Sequence, residues 1–314
     1  MAYNGGFDGL VSYVDETSFE LISKAVLGTN LATYVDVRAG LKGNKVDIPL
    51  VDETFNVGDG MACGWSANNT ASISQVEMDI YHAKIQHEFC PQVLRDTFMA
   101  GRLAAGQFGG SESLPYEAVF AGQLVEKLNN WNEKYIINGK GASSIGIQKF
   151  FSASYVADGD TYANAVSGAW TAATSVSASQ YLYEILDPEI SIADDLILVL
   201  SVGDYKKLQL GVTQGNYYHI PPEKGSLYIP GTNVRAVASA GIKDQTDGKN
   251  TRILTRATNI VLGTDLTGDF EQFKLWYSED NDQMRATMKW AIGIAVKQAG
   301  LGVIANHGVT NFSL

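Results

Sequence analysis

The chain has 314 residues, 23 Lys+Arg against 34 Asp+Glu, a formal net charge of -11, 45% hydrophobic residues and 18% charged ones. The apolar fraction excludes wholesale disorder, and the length supports about two domains with a buried core. The acidity and the lack of a basic run argue against tight, direct binding of nucleic acid, while the sparse charge points to a surface partly covered by something else.

Residues 1–42 mix Gly, Asp and Tyr with short apolar clusters. Asp15 to Leu27 has the spacing of one amphipathic helix, with Phe19, Ile22 and Val26 on one face; an extended arm is the alternative. The first residues carry no positive charge followed by an apolar run, so they do not read as a secretory signal. Val46, Ile48 and Leu50 then alternate with Asp47 and Pro49, a strand pattern, and Pro49 assigns that strand to an edge because proline lacks the ladder donor. Residues 52–71 are irregular.

Val76, Met78 and Ile80 alternate with Glu77 and Asp79, after which the phase flips and Tyr81, Ala83 and Ile85 carry the apolar side. A flip moves the buried side chains to the opposite face, so a bulge or a change of packing partner is expected there. Residues 45–89 therefore read as a long two-stranded ribbon. It either folds onto its own domain or projects as an arm onto a neighbouring subunit, since an isolated ribbon is marginal in water.

Ser113 and Pro115 mark a helix start, and Tyr116, Phe120, Leu124, Leu128, Trp131 and Tyr135 follow at helical spacing. Asn138 and Gly139 form the C-terminal stop. Residues 146–265 look like a separate globular unit. Tyr162 to Leu186 suggests one or two helices broken near Ser175 to Ser177. Leu196 to Val202 is a continuous apolar run, expected to be a central strand buried on both faces. Asp204 to Leu210 suggests a short helix, and Val234 to Val237 and Ile253 to Leu254 suggest further strands.

Met284, Ala286, Met288, Trp290, Ile292, Ile294 and Val296 occupy alternate positions. This strict period of two predicts a strand of roughly 45 Å. It also answers the membrane question, because a spanning helix needs ~20 apolar residues without polar alternation. A ~35 Å helix, a long strand and a ribbon suit a flat, elongated subunit that needs neighbours for cover.

Chemistry-bearing patterns are few. The two cysteines, Cys63 and Cys90, make no disulfide framework, so a reducing compartment is the default. His82, His87, His219 and His307 form no zinc pattern, and His82 and His87 point to opposite faces of a regular strand. Asn138 to Ser144, NGKGASS, lacks the order of a phosphate loop and ends a helix instead of opening one. Asp280, Asn281 and Asp282 read as a turn, as do Asp194 and Asp195. No nucleophile elbow is present. The sequence supports neither an enzyme nor a metal or cofactor site.

The order of elements carries a resemblance: a terminal arm, a long ribbon, a long helix ending in YIINGKGASSIGI, an intervening domain, then a long final strand. With LILVLSVGDYKKLQL at 196–210, YIPGTNVRAV at 228–237 and the segment from Asn259 to Asn306, it resembles the tailed-bacteriophage major capsid protein, an α+β chain of the Hong Kong 97-like fold. The resemblance implies an N-terminal arm at 1–42 and an extended loop at 43–89 lying over the adjacent subunit. It implies a peripheral domain with a spine helix at 90–145 and 266–298, and an axial domain at 146–265 and 299–314.

The function it implies is a shell of hexamers and pentamers enclosing double-stranded DNA in the virion, assembled in the bacterial host cytoplasm. No long N-terminal scaffolding region is seen, so a separate scaffolding protein is expected, or that region was removed earlier; a portal is expected as well. The loop has no lysine between Lys45 and Lys84 for covalent cross-linking. Non-covalent anchoring then falls to candidate inter-subunit contacts at Phe55, Met61, Trp65, Val76 and Met78. The alternatives are an encapsulin-like nanocompartment, which shares this fold, and a soluble α+β enzyme.

Overall fold

The computed structural model describes residues 30–41, 43–54, 70–89, 116–140, 146–151, 168–215, 227–265, 272–278, 280–281 and 283–305. Two sheets organise them. The first has six strands: β1 (Asp36–Ala39), β8 (Ile260–Thr264), β10 (Gln283–Val296), β3 (Thr70–Phe89) and β2 (Lys45–Thr54) in that order, with β9 (Gln272–Ser278) also paired to β10. The second runs β11 (Gly302–Ala305), β7 (Arg252–Arg256), β4 (Leu196–Ser201), β6 (Arg235–Ser239), β5 (Leu227–Tyr228). The mixed α+β class expected from the sequence is the one observed.

The 14-residue strand predicted at 284–296 is the backbone of the first sheet. One side of β10 pairs with β3, and the other with β9 and then β8. Its even-numbered residues from Ala286 to Val296, including Trp290, Ile292 and Ile294, are buried in the core they share with the long helix α1 (Tyr116–Asn138). At ~1.5 Å per residue this helix has the length expected from its spacing. It ends where Gly139 takes φ +68°, donating its N–H to the Tyr135 carbonyl at 2.7 Å.

The C-terminal half of α1 is sandwiched between the sheets. Leu128, Tyr135, Ile136 and Ile137 share one core with Trp290 and Ile292 of β10 and with Val237, Ile253 and Ile304 of the second sheet. The two sheets are therefore not independently filled. In β4 every residue is buried: Ile197 and Val199 enter this shared core, while Leu196, Leu198 and Leu200 enter a second one. That second core lies under α3 (Ala172–Ile185) and α5 (Val202–Gln214), through Val176, Leu182 and Leu208. Two short helices, α2 (Ile147–Phe150) and α4 (Pro188–Ser191), complete the described set.

The structure differs from expectation at three points. No break occurs at Ser175 to Ser177, because α3 runs through them. Ser175, Ser177 and Ser179 return their hydroxyls to carbonyls three residues earlier, at 3.1, 3.0 and 2.7 Å, so the polar groups are satisfied without leaving the helix. The helix starts instead at a reciprocal cap between Thr171 and Thr174.

Second, a pairing not anticipated from the sequence joins residues 36–39 to 260–264: β1 and β8 pair in parallel within the first sheet, Asp36 opposite Val261. Both segments are too short for their period to announce a partner. Third, the helix expected at 204–210 is longer, Val202–Gln214, with Ser201 as its N-cap accepting from the Asp204 N–H at 3.2 Å. The helix expected at 15–27 lies outside the described residues.

Candidate functional site

Among the described residues no catalytic constellation directs attention to one cleft, so the candidate site is built from the ribbon and its base. β2 and β3 form an antiparallel ladder of ten facing pairs, from Lys45 opposite Asp79 to Thr54 opposite Thr70. Pro49, opposite Gln75, stands in the outermost strand of the sheet as expected. The phase flip also has its cause. β3 pairs with β2 up to Asp79 and with β10 from Ile80 onward, so its support changes partner at that point. Met78 packs on one face with Ile48, Val261 and Ala295, while Tyr81, Ala83 and Ile85 pack on the other against the core of α1.

This burial revises one contact candidate and qualifies another. Met78 is 0% exposed and enclosed by its own subunit, so it is a core residue and not a contact surface. Its alternation with charged neighbours reads the same whether the apolar face meets a partner or its own sheet. Val76 is partly buried against the same cluster. Phe55, Met61 and Trp65 lie outside the described residues. Among the described side chains of the ribbon the exposed large apolar residue is Ile73, at 73%, which sequence reasoning missed because it lies beyond the alternating run that marked the strand.

The face of β3 that meets α1 is built from rings. Tyr81 stacks on Tyr135 with centroids 5.5 Å apart, Tyr135 on Trp131 at 5.5 Å, and Trp131 meets Trp290 edge-on at 5.5 Å. The Trp290 indole N–H donates to Asn132 Oδ1 at 3.1 Å, and the Tyr135 hydroxyl donates to the Ile292 carbonyl at 3.4 Å. Aromatic pairs in such arrangements contribute about 0.5–1.5 kcal/mol each beyond their buried area. The root of the ribbon is thereby held rigidly to the long helix.

A second joint was not visible in the sequence. Glu133, 6% exposed, lies in α1 beside the second sheet. Its carboxylate accepts from the Asn30 N–H at 2.7 Å and the Ala240 N–H at 2.6 Å. Asn30 Nδ2 also donates to the Ala238 carbonyl at 2.7 Å, and Asn138 Nδ2 to the Gly241 carbonyl at 3.1 Å. Backbone approaches so closely there that a Cβ on Gly241 would sit 2.2 Å from the Glu133 carbonyl oxygen. One carboxylate thus ties the segment before β1, the long helix and the second sheet.

The second sheet carries its own polar network. Arg252 and Asp204 are both 0% exposed and pair at 2.9 Å. Arg252 also donates to the Gly168 and Gly248 carbonyls at 3.0 and 3.2 Å and lies 4.2 Å from the Trp170 ring centre. Burial draws the guanidinium pKa down, and the Asp204 carboxylate opposes that fall. Asp194 and Asp195 form the turn before β4, as expected. Asp195 accepts from Arg256 Nε at 2.9 Å and from the Thr258 hydroxyl at 2.5 Å, so it anchors a turn.

An open groove of about 680 Å³ is lined by Tyr183, Ser191, Ile192, Tyr228, Gly231, Thr232 and Asn233, with no carboxylate, histidine, lysine or cysteine among them. Among the described residues no group of His, Cys, Asp and Glu is placed to hold a metal ion, and no helix is long and apolar enough to cross a membrane.

No family model matches the sequence, and no curated protein matches it. Solved structures do match. The chain superimposes on a structure titled satellite phage P4 procapsid including size determination (Sid) protein with a TM-score of 0.55 and 11% identity, covering 92% of this chain and 90% of that one. For Gordonia phage Cozz the TM-score is 0.56 with 9% identity, covering 88% and 85% of the two chains. For Mycobacterium phage Che8 it is 0.52 with 13% identity, covering 85% of both. The fold is that of tailed-phage major capsid proteins, as the order of elements in the sequence suggested.

Proposed function

We propose that this chain is a non-enzymatic shell subunit, which self-assembles into the icosahedral capsid that encloses the double-stranded DNA of a tailed phage. The observation that carries the reading is the extent of the fold match: about nine-tenths of both this chain and a procapsid chain superimpose. A match limited to one sheet would support much less.

In this reading the first sheet with α1 is the peripheral unit, the second sheet the axial one, and β2–β3 the base of an extended loop. Each copy offers several interfaces, and closure into hexamers and pentamers multiplies modest pair affinities. The net charge of -11 keeps the wall from gripping packaged DNA, with which no specific contact is needed. A separate scaffolding protein and a portal are the expected partners, and assembly in the host cytoplasm is the expected setting.

Light scattering and negative-stain microscopy of the purified chain, with and without scaffold, test this. Closed particles are the expected outcome. A persistent monomer under both conditions overturns it. Deleting residues 52–72 should leave the subunit folded and abolish particles; normal particles from that variant would show that the loop tip is not an assembly arm.

A further inference from the structure

The helix stop at Asn138 and Gly139 has a second chemical property. Asparagine followed by glycine is prone to lose its side-chain amide, because glycine has no Cβ to shield the nitrogen that attacks. The reaction is a ring closure. The Gly139 nitrogen gives up its proton and bonds to Asn138 Cγ, the Cγ–Nδ2 bond breaks, and the amide leaves with that proton as ammonia. Water then opens the ring at either carbonyl, giving aspartate or isoaspartate. The chain has two such pairs, Asn4–Gly5 and Asn138–Gly139, and the second lies among the described residues.

Each group in that reaction is held by the fold. The Gly139 N–H donates to the Tyr135 carbonyl at 2.7 Å, so the attacking nitrogen has its proton engaged. Asn138 Nδ2, the leaving group, donates to the Lys134 carbonyl at 2.9 Å and to the Gly241 carbonyl at 3.1 Å. The first tie stays within α1, and the second crosses to the loop after β6. Gly146 packs on the same peptide: a Cβ there would sit 2.3 Å from the Gly139 nitrogen and 2.4 Å from the Asn138 carbonyl carbon. The peptide has no room to turn toward Cγ.

The product does not suit the place. A carboxylate at 138 has no donor for the Lys134 and Gly241 carbonyls. It also adds negative charge at a helix C-terminus, where the macrodipole is already negative. The last turn of α1 has no basic residue to offset it, and Lys140 Nζ lies over the Tyr81 ring, 5.1 Å from its centre. Isoaspartate adds a backbone atom where Gly146 leaves no slack. We propose that Asn138 is a modification site gated by the joint between α1 and the second sheet. While the joint is closed the amide persists. In a chain whose second sheet has not docked the amide is lost, and the product then weakens the joint. The site thus marks, irreversibly, chains that have stayed open. Every step belongs to a single subunit, so the proposal stands apart from the shell reading.

Peptide mapping by mass spectrometry tests the gate on the full chain, aged at mildly alkaline pH in buffer and in urea. In urea both pairs should convert, with Asn4 showing that the conditions are reactive. In buffer, conversion at Asn138 should be at least about tenfold slower than in urea, because it waits on local opening. Glu133→Ala, which removes the neighbouring tie to Ala240, should speed it severalfold. Equal rates at Asn138 in buffer and in urea, or an unchanged rate in a folded Glu133→Ala chain, overturn the gate. If that variant does not fold, the wild-type rate should still rise with urea below the unfolding midpoint, and a flat rate there overturns the gate equally. Asn138→Asp makes the product directly and should have a lower urea midpoint than Asn138→Ala, which loses only the donor. A midpoint at or above that of Asn138→Ala overturns the weakening step.

Discussion

Glu133 Oε2 accepts a hydrogen bond from the Ala240 backbone N–H at 2.6 Å, although 107 residues separate them. The contact joins the long helix to the second sheet at the point where the segment before β1 also arrives, through the Asn30 N–H at 2.7 Å. The joint is a single acceptor group serving donors from two other segments. Removing it leaves those donors without their partner in a part-buried place. Glu133→Ala should lower the stability of the isolated subunit by about 1–3 kcal/mol, measured by urea denaturation. An unchanged midpoint would mean that water replaces the carboxylate freely.

The tryptophan pair separates two kinds of burial. Trp290 is 2% exposed and sits inside the shared core, whereas Trp131 packs against that core only partly buried. Trp290→Ala should cost about 3–5 kcal/mol, and Trp131→Ala less, about 2–3 kcal/mol. Paired melting curves check the order. Equal losses would place both rings in equivalent surroundings.

Arg252 and Asp204 form a buried ion pair at 2.9 Å with both side chains 0% exposed. Asp204→Asn leaves the guanidinium without its carboxylate and should destabilise by about 3–5 kcal/mol. The double variant Asp204→Asn, Arg252→Met should recover part of that loss, since the uncompensated charge is gone. Chemical denaturation of the four proteins in the cycle gives the coupling directly. Additive losses would contradict the pairing.

Acid sensitivity should have an identifiable contributor in Asp195. Burial by itself pushes this carboxyl up, but hydrogen bonds from Thr258 and Arg256 outweigh it and hold it below the usual carboxylate range. A carboxyl depressed on folding stabilises the fold above its unfolded value, about 4. That contribution is lost as pH falls through the lower folded value. Asp195→Asn should therefore lower Tm at neutral pH, with the difference from wild type closing as the medium becomes strongly acidic. Parallel Tm curves across the range would remove Asp195 from the account.

Much of the architecture was legible in advance. The long β10 strand, the C-terminal stop of α1 at Asn138 and Gly139, the edge position of the Pro49 strand and the doubly buried β4 each follow from period or from a residue with one conformational use. The candidate site was legible only in part. The ribbon could be read from alternation, but the role of Met78 could not, because alternation reports which side chains share a face and not what covers that face. Ile73 was missed for the converse reason: an apolar residue among serines has no local pattern to stand out from.

By itself the sequence determined the local elements and their order, since helix and strand periods, proline at an edge and glycine at a helix end act within a few residues. The phase flip at Ile80 was visible there too, as a change in rhythm without a partner. Only the tertiary structure decided that the flip marks the exchange of β2 for β10, that β1 and β8 belong to the first sheet, and that Glu133 joins three segments. It also gathered Lys84, Lys274, Arg285 and Lys289 onto one face. Charge is counted along the chain but acts through space, and strand register is what turns residues nearly two hundred positions apart into neighbours.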